Sequence, residues 1–416
     1  MSWVRASYAI LILTSIVGVA VVITLEEFSA SYSSLTYLVA LLTFVAVVSA
    51  AMMIAWAAEA SQFSISQGLA LAIVAIVQTL PEFFVEGAIT WNAGKDPANW
   101  LPNVTANFTG ANRLLTGLGW PLILFTAIVQ RRRNGLKGSG VIALRREQSV
   151  EIAFMLTATA FYAIIWFRGA LDLLDTGVLL AIFIVYMTIL SRLPSEKEDP
   201  EEVLDAPPKA IVRLRGKRTR IGAIVGLFLL SGLVFVFISQ PFVDSINTIA
   251  VALFGAGAGF FFIQWIAPFL SEFPEKVTAF HWARKIKLAP MALLNFVSSA
   301  VSELTALVAI IPVVFAFSLG ALDSVPILAH RDEVLLTMTQ SLYACMCLLD
   351  LEYDMRNATI LFGLWLASTV LVQIRFWVAI LFLALAIVEV LIHRKRITVF
   401  SSFKYTLTRT FTKPKE

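Results

Sequence analysis

Two Pro-Glu dipeptides lie inside apolar stretches that are long enough to cross a membrane: Pro81-Glu82 in the first half of the chain and Pro274-Glu275 in the second. A carboxylate at the centre of a bilayer costs about 2.5–3.5 kcal/mol on insertion scales, so it needs a partner, a cavity or a role in function. Proline has no N–H, so each dipeptide also frees a carbonyl one turn earlier, at Val77 and Leu270. Each half therefore offers oxygen ligands at membrane depth.

The composition identifies a polytopic membrane protein with an all-α fold. The chain is 59% hydrophobic and 14% charged, with a mean hydropathy of +0.83, which a soluble domain of this length would not show. A span needs about 20 apolar residues. This requirement predicts twelve transmembrane helices, near residues 8–25, 36–58, 66–92, 113–130, 150–167, 173–190, 221–239, 257–282, 290–319, 333–350, 357–373 and 376–393.

The basic residues predict the orientation. With a cytoplasmic N-terminus, 26 of the 32 Lys and Arg residues fall in inner segments and five in outer ones, among them Arg113 and Arg375. This asymmetry predicts that both termini are cytoplasmic, in a multi-pass protein of the plasma membrane. The basic segments are expected to contact anionic lipid of the inner leaflet, so the bilayer is the expected partner and nucleic acid is not.

The two halves repeat the same order of features. In each half, Pro-Glu is followed by an Asn-Phe segment, at Asn107 and Asn295, and the five-residue difference in spacing falls in a predicted polar loop at 95–103. Five helices per repeat is an odd number, so the second copy enters the membrane inverted, as in many secondary transporters. The predicted divisions are an extra helix in 1–35, repeats at 36–190 and 221–373, a charged cytoplasmic linker at 191–220, and an extra helix with a basic tail at 374–416.

These segments resemble the alpha repeats of the calcium/cation antiporter superfamily, which includes the sodium/calcium exchangers. Each alpha repeat of that family has a G-T-S-x-P-E-like segment followed by a G-S-N-x-x-N-like segment or an acidic variant of it. Here the first repeat has its motif at 77–115 and the second at 270–303. The resemblance covers roughly residues 36–373. It implies a secondary active antiporter that exchanges Ca²⁺ for Na⁺ or H⁺ by alternating access.

The resemblance also implies which residues bind the cation. Glu82 and Glu275 match the family's two central carboxylates, Thr79 and Ser299 match hydroxyl ligands, and Glu303 matches the last motif position. Leu115 stands where the first repeat should have an asparagine, so either Asn112 or Asn107 is expected to replace it. The remaining candidates are Ser271, Glu272 and Glu86.

Alternative roles remain open for several of these residues. Glu86, one turn after Glu82, is either a supporting group or a pore-lining acid, and the asparagines could instead join helices by hydrogen bonds. Glu272 stands where the family has a hydroxyl, and this extra carboxylate favours proton coupling over sodium coupling. A cation channel or uniporter could use the same acids. No enzyme motif is present, so we expect a transporter that needs no cofactor beyond its transported cations.

Overall fold

The computed structural model describes residues 2–29, 35–61, 63, 79–136, 140–193, 204–255 and 258–412. Its helices are α1 Ser2–Ser29, α2 Leu35–Ser61, α3 Leu80–Lys95, α4 Pro97–Leu114, α5 Trp120–Arg133, α6 Ser149–Arg168, α7 Leu173–Leu190, α8 Ala206–Val212, α9 Lys217–Phe254, α10 Ala258–Ser271, α11 Phe273–Arg284, α12 Ala289–Ser302, α13 Val308–Leu319, α14 Arg331–Met346, α15 Met355–Val370, α16 Arg375–His393 and α17 Val399–Thr412. The strands are β1 Val141–Ala143, β2 Ala170–Leu171, β3 Val325–Pro326 and β4 Glu352–Asp354. Two π-helical turns, Leu115–Gly119 and Glu303–Leu307, join α4 to α5 and α12 to α13.

The all-helical, membrane-spanning character is confirmed. Within the described ranges, eight helical segments are long and apolar enough to cross a membrane: Ala6–Thr24, Leu35–Ser61, Pro97–Arg133, Arg146–Arg168, Leu173–Leu190, Lys217–Phe254, Ile286–Leu319 and Val372–His393. The other four predicted spans coincide with helices of at most 16 residues in the described part of the chain, namely α3, α10 with α11, α14 and α15. The count of twelve spans and the inverted repeats stay predictions.

Two predicted spans have the wrong limits. The span placed at 113–130 belongs to a continuous helical segment, Pro97–Arg133, and the expected polar loop at 95–103 is almost entirely helical. Asn103 and Asn107 are buried in α4, so their polarity reflects a buried polar face rather than solvent. The span placed at 221–239 continues through Pro241 to Phe254, since membrane helices tolerate proline when other groups satisfy the freed carbonyl.

The described residues form two compact units, each containing parts of both sequence halves. The first unit comprises Met1–Asn107 and Ser195–Glu275. Within it, α9 packs along α2 and also contacts α1, α3 and α10. The rings of Phe84 and Phe235 stack with centroids 5.6 Å apart, which joins α3 to α9. The short helix α8 buries Ile211 against α2 and α9, so this part of the predicted linker is packed onto the unit rather than solvated.

The second unit comprises Phe108–Pro194 and Lys276–Glu416. Helix α6 packs against α7, α12, α14 and α17, and α14 packs against α16. Two small antiparallel pairs, β1 with β4 and β2 with β3, connect loops that are distant in sequence. The expected basic tail contains a further helix, α17, whose Phe403 ring lies 6.3 Å from Phe154 on α6. Amphipathic tails of this kind are hard to predict from hydropathy alone, because their polar face lowers the average.

A buried ion-pair network fixes the second unit. The Glu333 carboxylate of α14 accepts from Arg113 on α4, with Oε2 and a guanidinium nitrogen 2.5 Å apart, and its other oxygen accepts from Arg375 on α16. All three side chains are buried. Sequence analysis placed both arginines in outer loops, and the structure instead places them inside the protein. Arg375 also donates to the Ser368 carbonyl, so each charge has several partners.

Glu151 on α6 offers a contrast to Glu333. Each is the third residue of its helix, and each helix follows a short 3-10 turn. Glu151 is also buried, but among the described residues it makes no ion pair, and its Oε2 has no hydrogen-bond partner. Glu333 of α14 therefore has a permanent counter-charge. Glu151 of α6 has none among the described residues.

The orientation can be tested with single cysteines at exposed positions. In a background lacking the two buried cysteines, Cys345 and Cys347, we expect Ser401→Cys to react only after the membrane is permeabilised. Asp323→Cys, in the predicted outer loop before α14, should react in intact cells. Reaction of both positions with an impermeant maleimide from outside would contradict the cytoplasmic C-terminus.

Removing the charge of Glu333 should destabilise the protein strongly. Glu333→Gln leaves two buried guanidinium groups without a counter-charge, a change that costs about 3–5 kcal/mol in comparable buried pairs. Glu151→Gln is the matched control and should cost far less, because no buried arginine pairs with it in the described structure. Thermal unfolding in detergent, followed by exposure of Cys345 and Cys347 to a thiol-reactive fluorophore, measures both. Equal melting temperatures for the two variants would show that the network is not a stabilising element.

Candidate cation-binding site

Two buried carboxylates in the first unit share one amide. Helix α3 places Glu82 and Glu86 four residues apart, so that they lie on the same face one turn apart. Asn107 on α4 donates through Nδ2 to Glu82 Oε1 over 2.9 Å and to Glu86 Oε2 over 2.8 Å. All three side chains are at most 1% exposed. The Asn107 Oδ1 atom has no hydrogen-bond partner in the described part of the chain.

Two hydroxyl groups form hydrogen bonds with the other carboxylate oxygens, Glu82 Oε2 and Glu86 Oε1. Ser271, the last residue of α10, makes a short hydrogen bond to Glu82 Oε2. Thr90, one turn further along α3, donates to Glu86 Oε1 over 3.2 Å. Sequence analysis did not single out Thr90, although its spacing of four residues from Glu86 is a usable signal. The cluster of Glu82, Glu86, Asn107 and Ser271, here called the glutamate cluster, joins α3, α4 and α10.

The second Pro-Glu dipeptide interrupts its helix as predicted. Helix α10 ends at Ser271 and α11 begins at Phe273, so that Glu272 lies at the junction, with its N–H bonded to the Pro268 carbonyl over 3.1 Å. Glu275 lies in the first turn of α11, and both glutamates are buried. Negative charge in a first helical turn is favoured by the helix dipole.

The first Pro-Glu dipeptide has a similar local setting. Thr79 precedes α3 as its N-cap residue, is buried, and accepts from the Phe83 N–H through its carbonyl over 3.1 Å. Glu82 lies in the first turn of α3, as Glu275 does in α11. Val77, whose carbonyl is expected to be free, lies outside the described residues. The two dipeptides therefore both set a buried glutamate at the start of a helix.

The remaining predicted ligands belong to the second unit. Asn112 on α4 accepts through Oδ1 from the Ser341 hydroxyl over 2.6 Å, whereas its Nδ2 has no partner among the described residues. Ser299 on α12 is buried, and Glu303 is the buried first residue of a π-helical turn. Of the two asparagines proposed to replace the missing ligand at Leu115, Asn107 is the one hydrogen-bonded to the predicted central carboxylate.

The π-helical turns reinforce the correspondence between the repeats. Leu115 and Glu303, which occupy the same motif position, are each the first residue of a five-residue π-helical turn. Such turns are rare and occur often at functional sites. Leu115, which stands in place of an expected ligand, begins the same kind of backbone turn as Glu303.

The donor set of the glutamate cluster consists entirely of oxygen atoms once the Asn107 amide presents its carbonyl. Carboxylate, amide and hydroxyl oxygens suit hard cations such as Ca²⁺. Within the described ranges, no group of three or more His, Cys, Asp or Glu side chains has the arrangement of a metal cluster. The two carboxylates of the glutamate cluster are accompanied by neutral donors instead.

Comparisons with known proteins find exchangers of similar sequence and fold. Residues 34–192 match the family model described as sodium/calcium exchanger protein. The chain is similar to the crystal structure of the H⁺/Ca²⁺ exchanger CAX, with 29% identity, a TM-score of 0.84, and coverage of 98% of this chain and 99% of that one. No curated protein sequence matches the chain significantly.

Two more distant structures share the fold. YfkE has 14% identity and a TM-score of 0.58 over 90% of this chain and 99% of its own. The sodium-calcium exchanger NCX_Mj has 17% identity and a TM-score of 0.53 over 80% of this chain and 97% of its own. At these identities the likeness extends to the fold alone. None of these comparisons favours a channel or an enzyme.

Proposed function

We propose that this chain, whose residues 34–192 match the sodium/calcium exchanger family model and which is similar to an H⁺/Ca²⁺ exchanger over its length, is a secondary active antiporter that exchanges Ca²⁺ for H⁺ or Na⁺ by alternating access. The glutamate cluster carries this proposal: two buried carboxylates, Glu82 and Glu86, share the Asn107 amide, and the Ser271 and Thr90 hydroxyls bond to their other oxygens. Carboxylate, amide and hydroxyl oxygens at one buried place can together coordinate a mobile cation.

Charge neutrality explains why such a site exchanges ions. Two ionised carboxylates carry a charge of −2, which one Ca²⁺ or two monovalent cations neutralise. Moving the charged site through a region of low dielectric without a cation is costly. Only the loaded forms then pass between inward-facing and outward-facing states, so that one ion crosses in exchange for the other. No covalent chemistry is involved.

Asn107 gives the site a way to respond to its occupant. Its amide now donates two N–H bonds to Glu82 and Glu86, and its oxygen has no partner among the described residues. A half-turn of the amide would present that oxygen to a cation held by the same carboxylates. The amide thus stabilises the carboxylates when they lack a cation and serves as a ligand when one is bound. Ser271 has the same double capacity, because a hydroxyl can donate or accept.

We favour a proton as the counter-ion. Besides Glu59, the first unit buries four glutamates, Glu82, Glu86, Glu272 and Glu275, within two short stretches of sequence. Protonation neutralises a buried carboxylate without any further ligand, whereas Na⁺ needs a shell of oxygen atoms. The similarity to an H⁺/Ca²⁺ exchanger supports the same choice. Thr79, Glu275, Ser299, Glu303 and Asn112 remain proposed ligands through their motif positions, and the plasma membrane remains the proposed location.

The function can be tested in proteoliposomes. Purified protein should take up ⁴⁵Ca²⁺ when an outward gradient of H⁺ is imposed, and collapse of that gradient with an ionophore should stop the uptake. An imposed Na⁺ gradient at constant pH distinguishes sodium coupling. Uptake that follows the Ca²⁺ gradient alone, with no counter-ion, would contradict the antiporter and indicate a uniporter.

Neutralising a central carboxylate should abolish exchange without unfolding the protein. Glu82→Gln and Glu275→Gln keep the shape of the side chain but remove the charge that a divalent cation requires. We expect each to lower ⁴⁵Ca²⁺ uptake by about 100-fold or more, because removing even a hydrogen-bond partner of a metal ligand typically costs about 10–100-fold. Glu352→Gln, at an exposed position, is the matched control and should transport normally. Normal uptake by Glu82→Gln would exclude the glutamate cluster as the transport site.

Exchange should depend steeply on pH through Glu272. Protons compete with Ca²⁺ for carboxylates, so uptake at limiting Ca²⁺ should fall as the pH drops from about 8 to about 6. Glu272→Ser restores the hydroxyl that the family has at this position and removes one competing acid. We expect a flatter pH profile and stronger dependence on Na⁺. A profile that overlays that of the parent protein would show that Glu272 takes no part in ion selection.

A further inference from the structure

A cavity of about 600 Å³ lies in the first unit between α1, α8 and α9. Its walls are apolar over most of their area and include Ile12 from α1 and Leu227 and Leu230 from α9. Two cationic side chains, Lys209 and Arg213, line it on the side of α8. The cavity is remote in sequence from the glutamate cluster, and the transport mechanism makes no use of it.

The two cationic residues of the cavity lie at the C-terminal end of α8. Lys209 is in the last turn of this helix and Arg213 follows it as the C-cap residue, so the spacing of four residues puts both side chains on one face. The Tyr8 hydroxyl donates to the Pro207 carbonyl over 3.0 Å, which holds α8 against α1. Asp205 precedes α8 and is the single acid among six basic residues between 204 and 220. Among the described residues that line the cavity, Lys209 and Arg213 are the charged ones.

The depth of the cavity matches one leaflet of a bilayer. Helix α1 begins at Ser2, so Ile12 lies about 15 Å along its axis at 1.5 Å per residue. Half of a hydrocarbon core is also about 15 Å thick. Helix α9 begins at Lys217, in the same basic segment as Arg213, and Leu227 lies a similar distance into it, ten residues or about 15 Å. With the starts of α1 and α9 at the level of the lipid headgroups, the cationic residues lie near that level and the apolar walls extend toward the middle of the membrane.

We propose that this cavity binds an anionic phospholipid, with the phosphate between Lys209 and Arg213 and an acyl chain along Ile12, Leu227 and Leu230. Anionic headgroups match the positive edge, and an acyl chain matches the apolar walls at their depth. Neither a soluble phosphate compound nor a zwitterionic lipid fits both parts equally well. The bound lipid would hold together α1, α8 and α9, and α9 continues to the hydrogen bond that Asn92 of α3 donates to Asp244.

Native mass spectrometry of the full chain in detergent, titrated with phosphatidylglycerol or phosphatidylcholine, tests the proposal independently of transport. We expect wild-type protein to retain phosphatidylglycerol in preference to phosphatidylcholine, and Lys209→Gln with Arg213→Gln to weaken that retention about tenfold or more. The matched control is Arg215→Gln with Arg218→Gln, which removes two exposed charges of the same segment that do not line the cavity. This control should retain the lipid.

The acyl-chain part is tested separately by filling the cavity. Leu230→Trp should lower retention of phosphatidylglycerol, whereas Leu229→Trp, at a neighbouring position that is 65% exposed and does not line the cavity, should not. Inorganic phosphate at millimolar concentration should not displace the lipid. Equal loss in the Arg215/Arg218 variant would indicate unspecific attraction to the basic segment. Equal retention of phosphatidylcholine, displacement by phosphate, or an unaffected Leu230→Trp variant would overturn the proposal.

Discussion

The burial of carboxylates at membrane depth is the constraint on which the first unit depends. Glu82 and Glu86 are both inaccessible to solvent, and an isolated ionised carboxylate is too costly to keep in an apolar interior. Asn107 and Ser271 meet this cost with hydrogen bonds, and in doing so they bring α4 and the end of α10 against α3. The packing of these three helices therefore supplies the hydrogen bonds that two buried carboxylates require. The same hydrogen bonds offset part of the cost of burying the polar helix α4 in an apolar environment.

The identity of the compensating group separates structural carboxylates from those suited to transport. Glu333 lies as deeply buried as Glu82, yet Arg113 and Arg375 neutralise it permanently. Arginine keeps its charge at any physiological pH, so no mobile cation is needed or admitted there. An amide and hydroxyls satisfy hydrogen bonds but carry no charge of their own. A proton or a metal cation can therefore still neutralise the carboxylates that Asn107 and Ser271 contact.

Sequence reasoning predicted the features that depend on residue type and local geometry. The break at Pro274, the burial of Glu82 and Glu275, and the helical membrane architecture all follow from single residues or simple periodicity. The burial of Arg113 and the pairing of Asn107 with Glu82 and Glu86 depend on contacts between residues that are far apart in sequence. Such contacts could not be predicted from a single sequence. Hydropathy also failed to predict helix α4, which contributes Asn107 to the glutamate cluster. Residues 97–112 resemble a loop because their polar side chains, among them Asn103, Asn107 and Asn112, are buried and yet lower the average hydropathy.

Matched motif positions in the two sequence halves have similar local backbone but different side chains. Leu115 and Glu303 each begin a five-residue π-helical turn, and Glu82 and Glu275 each lie in the first turn of a helix. Yet the acids differ. Ala279 stands in the second half where the first has Glu86, and Thr79 stands in the first half where the second has Glu272. Helix breaks and π-helical turns determine the positions at which cation-binding side chains can lie. The choice of side chain at each place then sets the charge of the site, and with it the ion that can balance that charge.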